Sequence, residues 1–260
     1  GDLCDIKYNL NIFDDIVLDK NKKEFIKILT KNYNCNKSSN LIEGKGQNLI
    51  FLLHGSPGVG KTLTAEATSE YLEKPLYHIN IGDLDLNPSA LEVNLDDIDK
   101  ICKHWKALLL IDEADIFLEE RNYSDIGRNT IVSLFLKFLE YSKNIIFLTT
   151  NRLSTIDLAV KSRISLIITY PKLEKDNRSD IWNKLLSTVK IKDKSKLIKR
   201  LSNKELNGRE IGNLLDIVVT IIKSKNENDE IEMNEFIEIF DKCLEITNES
   251  NLSNVKGLYL

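Results

Sequence analysis

The sequence predicts an α/β protein, a parallel five-stranded sheet covered by helices on both faces and followed by a small helical domain. Five short apolar runs alternate with segments of helical period as far as Pro171, and beyond it the strand signals stop while helical stripes continue. A glycine-rich turn between the first run and the following helix marks where chemistry is expected.

The runs are Asn48–His54, Pro75–Ile81, Ala107–Asp112, Asn144–Thr150 and Ser165–Tyr170. Stretches such as Leu49-Ile50-Phe51-Leu52-Leu53 are continuously apolar, which fits central strands buried on two sides. Between them, Asn87 before Pro88 reads as a helix cap and first position, with Leu91, Leu95, Ile98 and Cys102 as one apolar stripe. A helix over roughly Arg128–Tyr141 places Ile131, Leu134, Phe135, Phe138 and Leu139 on one face. From Arg178 onward, Ile181/Trp182/Leu185/Leu186, Ile211/Leu214/Leu215/Val218/Val219/Ile222 and Phe236/Phe240/Cys243/Leu244 repeat the helical spacing. We therefore expect an α/β domain over 1–171, a helical domain over 172–247 with a loop at 224–230, and a weakly specified tail over 248–260.

A chain of 260 residues with 42% hydrophobic content can fill both cores. Its net charge of −4, with basic stretches such as Lys190–Arg200 balanced nearby, is no nucleic-acid footprint. No apolar run reaches membrane-spanning length and no signal pattern opens the chain, so an intracellular, soluble protein is expected. The start at Gly1, with Met233 as the sole methionine, reads as a piece of a longer protein whose compartment is unreadable. Cys4, Cys35, Cys102 and Cys243 lack zinc spacing and read as free thiols, and His54, His78 and His104 read as structural.

The turn Gly55-Ser56-Pro57-Gly58-Val59-Gly60-Lys61-Thr62 matches G-x-x-x-x-G-K-[ST] between an apolar run and a helix, Leu63–Leu72. Its backbone N–H groups and the helix N-terminus suit phosphate oxygens, Lys61 suits the β- and γ-phosphates, and Thr62 suits Mg²⁺. The run Leu108–Ile111 ends in Asp112-Glu113, carboxylates at the strand edge where α/β sheets bind ligands. Asp112 is expected to act on Mg²⁺ through water and Glu113 as general base toward an attacking water, with Asp115 structural. Asn151, after Thr149-Thr150, is expected to orient that water if its strand lies between the other two; turn chemistry is the alternative.

Together these residues resemble AAA+ ATPases of the P-loop NTPase class, with Walker A at Gly55–Thr62, Walker B at Leu108–Glu113, sensor-1 at Asn151 and a helical lid. The likeness extends to the AAA-type ATPase core domain common in fungal proteins, in phrases such as Leu53-His54-Gly55, Lys61–Glu66, Lys74–Tyr77, Phe117–Arg121, Leu139-Glu140-Tyr141, Thr150-Asn151-Arg152 and Lys161–Ile164. It covers about residues 10–247 and implies strand order 5-1-4-3-2, ATP and Mg²⁺ as cofactors, and assembly into a ring or partial ring. The resemblance also implies that Arg163 is an arginine finger acting on a neighbouring subunit's site, with Arg128 as alternative, and that Arg209 is a sensor-2 residue. It makes Leu63 part of the nucleotide-binding stretch and Ile16 and Val17, within Phe13–Val17, candidates for the adenine pocket. Gly82–Pro88 lacks the aromatic residue of protein-threading relatives, which puts threading by that device in doubt.

The leading expectation is an ATP hydrolase that remodels an unidentified protein partner; the competing one is an ATP-gated scaffold or switch with slow turnover. A small-molecule kinase needs a lid inserted within the α/β domain, whereas here the helical segment follows the sheet.

Overall fold

The computed structural model describes residues 8–10, 12–33, 48–120, 125–152, 156–225 and 230–256. The chain forms two compact units, Gly1–Pro171 and Lys172–Leu260. The first contains α1 (Ile12–Asp15), α2 (Lys20–Lys31), β1 (Leu49–His54), α3 (Lys61–Leu72), β2 (Leu76–Asn80) and α4 (Pro88–Trp105). It continues with β3 (Leu108–Asp112), α5 (Asp115–Leu118), α6 (Ile126–Tyr141), β4 (Ile145–Thr150), α7 (Leu158–Lys161) and β5 (Leu166–Thr169). The strands pair in parallel in the order β2-β3-β4-β1-β5, the expected order read from the opposite edge.

Strand parity explains why the apolar runs are continuous. Ile50 and Leu52 of β1, Leu109 and Ile111 of β3, and Ile146 and Leu148 of β4 join the core beneath α4 and α6. Their neighbours Leu49, Phe51, Leu53, Leu108, Leu110, Ile145 and Phe147 pack on the other face with Phe13, Ile26 of α2, and Ala65 and Ala67 of α3. Because both faces are covered, neither can carry the polar alternation of a half-exposed sheet.

The helices begin where their caps allow. The Asn87 side chain accepts from Ser89 N ahead of Pro88, and Leu91, Leu95, Ile98 and Cys102 are buried as their spacing predicts. Helix α6 starts two residues before the expected Arg128, because Asp125 caps it by accepting from Arg128 N. Its buried arc also differs: Val132, Phe135, Leu136, Phe138 and Leu139 are covered, while Ile131 and Leu134 are only partly buried. The reason is tertiary, since α6 packs against α4 and also against α5, where the rings of Phe117 and Phe135 stack with centroids 4.5 Å apart.

The second unit consists of α8 (Lys175–Leu185), α9 (Lys194–Leu201), α10 (Gly208–Lys225) and α11 (Met233–Lys256). They enclose Trp182, Leu197, Leu201, Ile211, Val218, Phe236 and Phe240. Arg178 is buried at its edge, donating from Nε to Ser202 O at 3.0 Å and from a terminal nitrogen to Leu173 O at 2.6 Å. Two boundaries differ from expectation. Helix α11 continues through 247 to Lys256, and a parallel bridge between Ile191 and Ile231 adds a strand-like contact to a segment read as purely helical. Of the expected 224–230 loop, Ser224 and Lys225 belong to α10, and 226–229 lie outside the described residues. Among the described residues no helix is long and apolar enough to cross a membrane.

Candidate functional site

The site is built at the C-terminal ends of β1, β3 and β4, where the strand order places β4 between the other two. The chain leaves β1 at His54 and enters Gly55, whose N–H donates to Thr150 O at 3.3 Å. A Cβ at Gly55 would stand 2.9 Å from both the Cβ and the carbonyl oxygen of Tyr170, so only glycine fits between β1 and the end of β5. Gly60, with φ of 98°, turns the chain into α3 through the left-handed region. No side chain caps α3, so its first N–H groups are open to an anion, where the helix dipole favours negative charge. Ser56 and Pro57 are exposed, Gly58 is partly exposed with φ of 73°, and buried Val59 anchors the loop to the core shared with Leu63.

Lys61 is the first residue of α3 and only 9% exposed. Its ammonium donates to Gly55 O at 2.7 Å, Ser56 O at 2.9 Å and Asn151 Oδ1 at 2.9 Å. The loop and the tip of β4 are thus tied by one cation.

Next to it lies a network centred on Asp112. Thr62 donates its hydroxyl to Asp112 Oδ2 at 3.1 Å, and Thr149 donates to Oδ1. The Thr149 hydroxyl also accepts from Glu113 N at 2.9 Å, while its carbonyl accepts from Ala114 N at 2.9 Å. These bonds hold Glu113 at φ of 54°, uncommon for a residue with a side chain, with that side chain exposed. On the opposite face of β4, Thr150 donates to Asp115 and accepts from Arg152 N at 2.9 Å, consistent with a structural Asp115.

The remaining expected residues are more dispersed. Arg163 follows α7, donating to Ala159 O at 2.8 Å and pairing with Glu140 at 3.0 Å. Arg128 pairs with Glu119, which also binds Arg152 at 3.1 Å. Arg209 is exposed on the first turn of α10 in the second unit, beside a reciprocal cap between Asn207 and Glu210. Ile16 is 3% exposed within the α2/α3-side core and Val17 is partly buried. The segment after β2 forms a short 3₁₀ turn, Ile81–Asp83. Cys4, Cys35 and Arg121 lie outside the described residues.

The model of the "ATPase family associated with various cellular activities (AAA)" matches residues 51–172, a span running from within β1 through β5 that holds Lys61, Thr62, Asp112, Glu113, Asn151 and Arg163 but not Ile16, Val17 or Arg209. Residues 51–172 are an AAA ATPase domain. The chain is 30% identical over 149 residues to an ATP-dependent zinc metalloprotease YME1 homolog of Caenorhabditis elegans, covering 53% of this chain and 20% of that protein. It is 27% identical over 172 residues to a putative 26S proteasome regulatory subunit homolog of Methanothermobacter thermautotrophicus, covering 62% of this chain and 45% of that one. To the ATP-dependent zinc metalloprotease FtsH of Rickettsia bellii it is 26% identical over 209 residues, covering 74% and 32%. The chain thus spans from a fifth to under half the length of these relatives.

Within the AAA domain, residue chemistry alone did not single out Thr149 and His78. Thr149 was legible only as part of a polar strand tip; its tie to Asp112 depends on the β3–β4 register, in which Ile111 lies beside Leu148 and the next pair brings Asp112 to Thr149. His78 sits beside Leu110 on β2, and its Nε2 comes within 3.7 Å of Asp112 Oδ2. Tyr170 is buried behind the loop with its hydroxyl 2.6 Å from Thr64 Oγ1; burial pushes its phenol above the usual value, opposed by that hydrogen bond.

Proposed function

We propose that the AAA domain binds ATP with Mg²⁺ and hydrolyses it, with the second unit serving as the lid. The observation that carries this reading is the Lys61 ammonium bridging Gly55 O, Ser56 O and Asn151 Oδ1 beside an uncapped helix N-terminus. Those oxygens hold a cation in place for exchange onto phosphate oxygens, and the open N–H groups receive the same anion.

The donor set also fits Mg²⁺. The Thr62 hydroxyl is a hard oxygen donor and the Asp112 carboxylate, 3.1 Å from it, would act through water, which suits a small ion that retains several waters. When bound, Mg²⁺ would neutralise phosphate charge. Glu113 takes a proton from the attacking water, Asn151 orients that water, and Lys61 stabilises charge on the β- and γ-phosphates. Gly55 through Leu63 form the cradle, Ile16 and Val17 flank the base, and Arg209 is assigned as the sensor-2 residue. Arg163 acts on the site of a neighbouring copy in a ring or partial ring, and the work is done on a protein partner.

A slower, switch-like reading has its own support. Arg163 and Arg128 are each paired within the chain, with Glu140 and Glu119, so a lone subunit keeps its finger occupied. Assembly must release Arg163 before it reaches another copy.

Calorimetric ATP titration of Lys61→Ala and Glu113→Gln tests the central assignment. Lys61→Ala loses ATP affinity, whereas Glu113→Gln retains it and stalls turnover, because Lys61 contacts ground-state phosphates and Glu113 acts on the attacking water. Equal loss of affinity in both variants refutes the role of Glu113 as base.

A further inference from the structure

Tyr170 touches both ends of the Gly55–Thr62 loop from behind. At the first end its N–H donates to His54 O at 2.7 Å, and its Cβ and carbonyl oxygen lie so close to Gly55 that only glycine fits. At the far end its hydroxyl lies 2.6 Å from Thr64 Oγ1, which is itself 2.9 Å from Gly60 O. A carbonyl has no proton to give, so the single proton of the Thr64 hydroxyl goes to Gly60 O, and Tyr170 is the donor to Thr64. Burial pushes the Tyr170 phenol above its usual value, which keeps that proton in place. Thr64 is 0% and Tyr170 4% exposed, so water cannot stand in for either hydroxyl.

The relay ends on a peptide that sterics do not restrain. Gly60 has φ of 98°, and a Cβ there would meet nothing within 4 Å, so hydrogen bonds rather than packing decide which way this glycine turns. Its carbonyl accepts twice, from Thr64 N at 3.1 Å and from Thr64 Oγ1. In a trans peptide C=O and N–H point in opposite directions. Holding Gly60 O toward Thr64 therefore turns the Lys61 N–H away from the body of α3, to the uncapped N-terminus that suits an anion. We propose that Tyr170 is a positioning residue for the phosphate loop: its hydroxyl, acting through Thr64, sets the Gly60–Lys61 peptide for the phosphates of a nucleoside di- or triphosphate. The inference rests on the nucleotide reading above and deepens it.

The test uses the full chain and calorimetric titration with ADP and Mg²⁺, which reads binding without turnover, below the thermal midpoint of every variant. Tyr170→Phe keeps the ring and removes the hydroxyl; its Kd for ADP should rise about fivefold, the size of one neutral hydrogen bond. The same rise should appear in KM for ATP with kcat within about twofold, as for binding shared by ground and transition states. Thr64→Val should weaken binding at least as much, and adding Tyr170→Phe to it should bring no further loss, because the relay is already cut. Thr64→Ser, which keeps the hydroxyl, should bind as wild type does; it and Tyr170→Phe decide the matter even if Thr64→Val does not fold. A lower thermal midpoint in Tyr170→Phe with ADP affinity within about twofold of wild type makes the hydroxyl a packing feature alone, which overturns the proposal and leaves the nucleotide reading intact. A smaller effect of Thr64→Val, a weakened Thr64→Ser, or additive losses in the double variant overturns the route through Thr64. Failure of wild type to bind ADP overturns both the proposal and the nucleotide reading.

Discussion

Thr149→Val removes one hydroxyl from a buried strand and keeps nearly the same volume, so it isolates the hydrogen bonds that tie β4 to the end of β3. Thr149 is 1% exposed; its hydroxyl donates to Asp112 and accepts from Glu113 N. A hydrogen bond to a charged group contributes about 1.5–3 kcal/mol and one to a backbone N–H about 1 kcal/mol. Asp112 is 18% exposed at its side chain, so water replaces part of the loss, and the net cost is about 2 kcal/mol. At roughly 2–4 °C per kcal/mol for a domain of this size, the thermal midpoint falls by ~4–8 °C. The functional cost is separate. Glu113 holds a positive φ of 54° next to that bond, and if about 1.4 kcal/mol of its orientation is lost, turnover falls roughly tenfold. Thermal denaturation and steady-state phosphate release are compared for wild type, Thr149→Val and Thr149→Ser, which keeps the hydroxyl. Wild-type stability and turnover in Thr149→Val would refute the claim that this hydroxyl positions Asp112 and Glu113.

Four further outcomes are expected. Phosphate release stops in EDTA and returns with added Mg²⁺ or Mn²⁺, because Thr62 and Asp112 face each other as a metal pair; turnover unchanged by EDTA sinks that pairing. Specific activity rises with protein concentration, and Arg163→Ala lowers kcat by about 10³ or more while changing ATP affinity little, as for a group acting on transition-state charge. Concentration-independent turnover in a sedimenting monomer would remove Arg163 from the neighbour's site. Cys102 is pushed up to about 12 by burial and, secondarily, by the charge of Asp99, so its thiol should resist iodoacetamide at pH 8 in the native protein and react on unfolding. Because the folded value lies above the ordinary 9.0, its contribution to stability is complete below about pH 9 and lost as pH rises toward 12; Tyr33, raised from 10.0 to about 12 by burial and then Asp99, adds the same trend. A denaturation midpoint that stays flat from pH 9 to 12 would contradict both.

Local chemistry made much of this protein legible in the sequence. Each strand lies within one residue of its apolar run, since a strand buried on both faces needs an unbroken apolar stretch and ends where polar or turn residues begin. Gly55–Thr62, Asp112-Glu113 and the Asn87-Pro88 cap were equally readable, because each depends on a fixed spacing along the backbone. What required the folded chain were the pairings between segments far apart in sequence. Strand register sets Thr149 against Asp112 and brings His78 within 3.7 Å of it, and the strand order brings Asn151 to Lys61 across 90 residues of chain. The same holds for the buried arc of α6, selected by its packing on α5 as well as α4, and for Arg163, which meets a carboxylate on α6. Periodicity states which residues share a face of one element; only packing decides which element that face meets, because burial and register are properties of two segments at once.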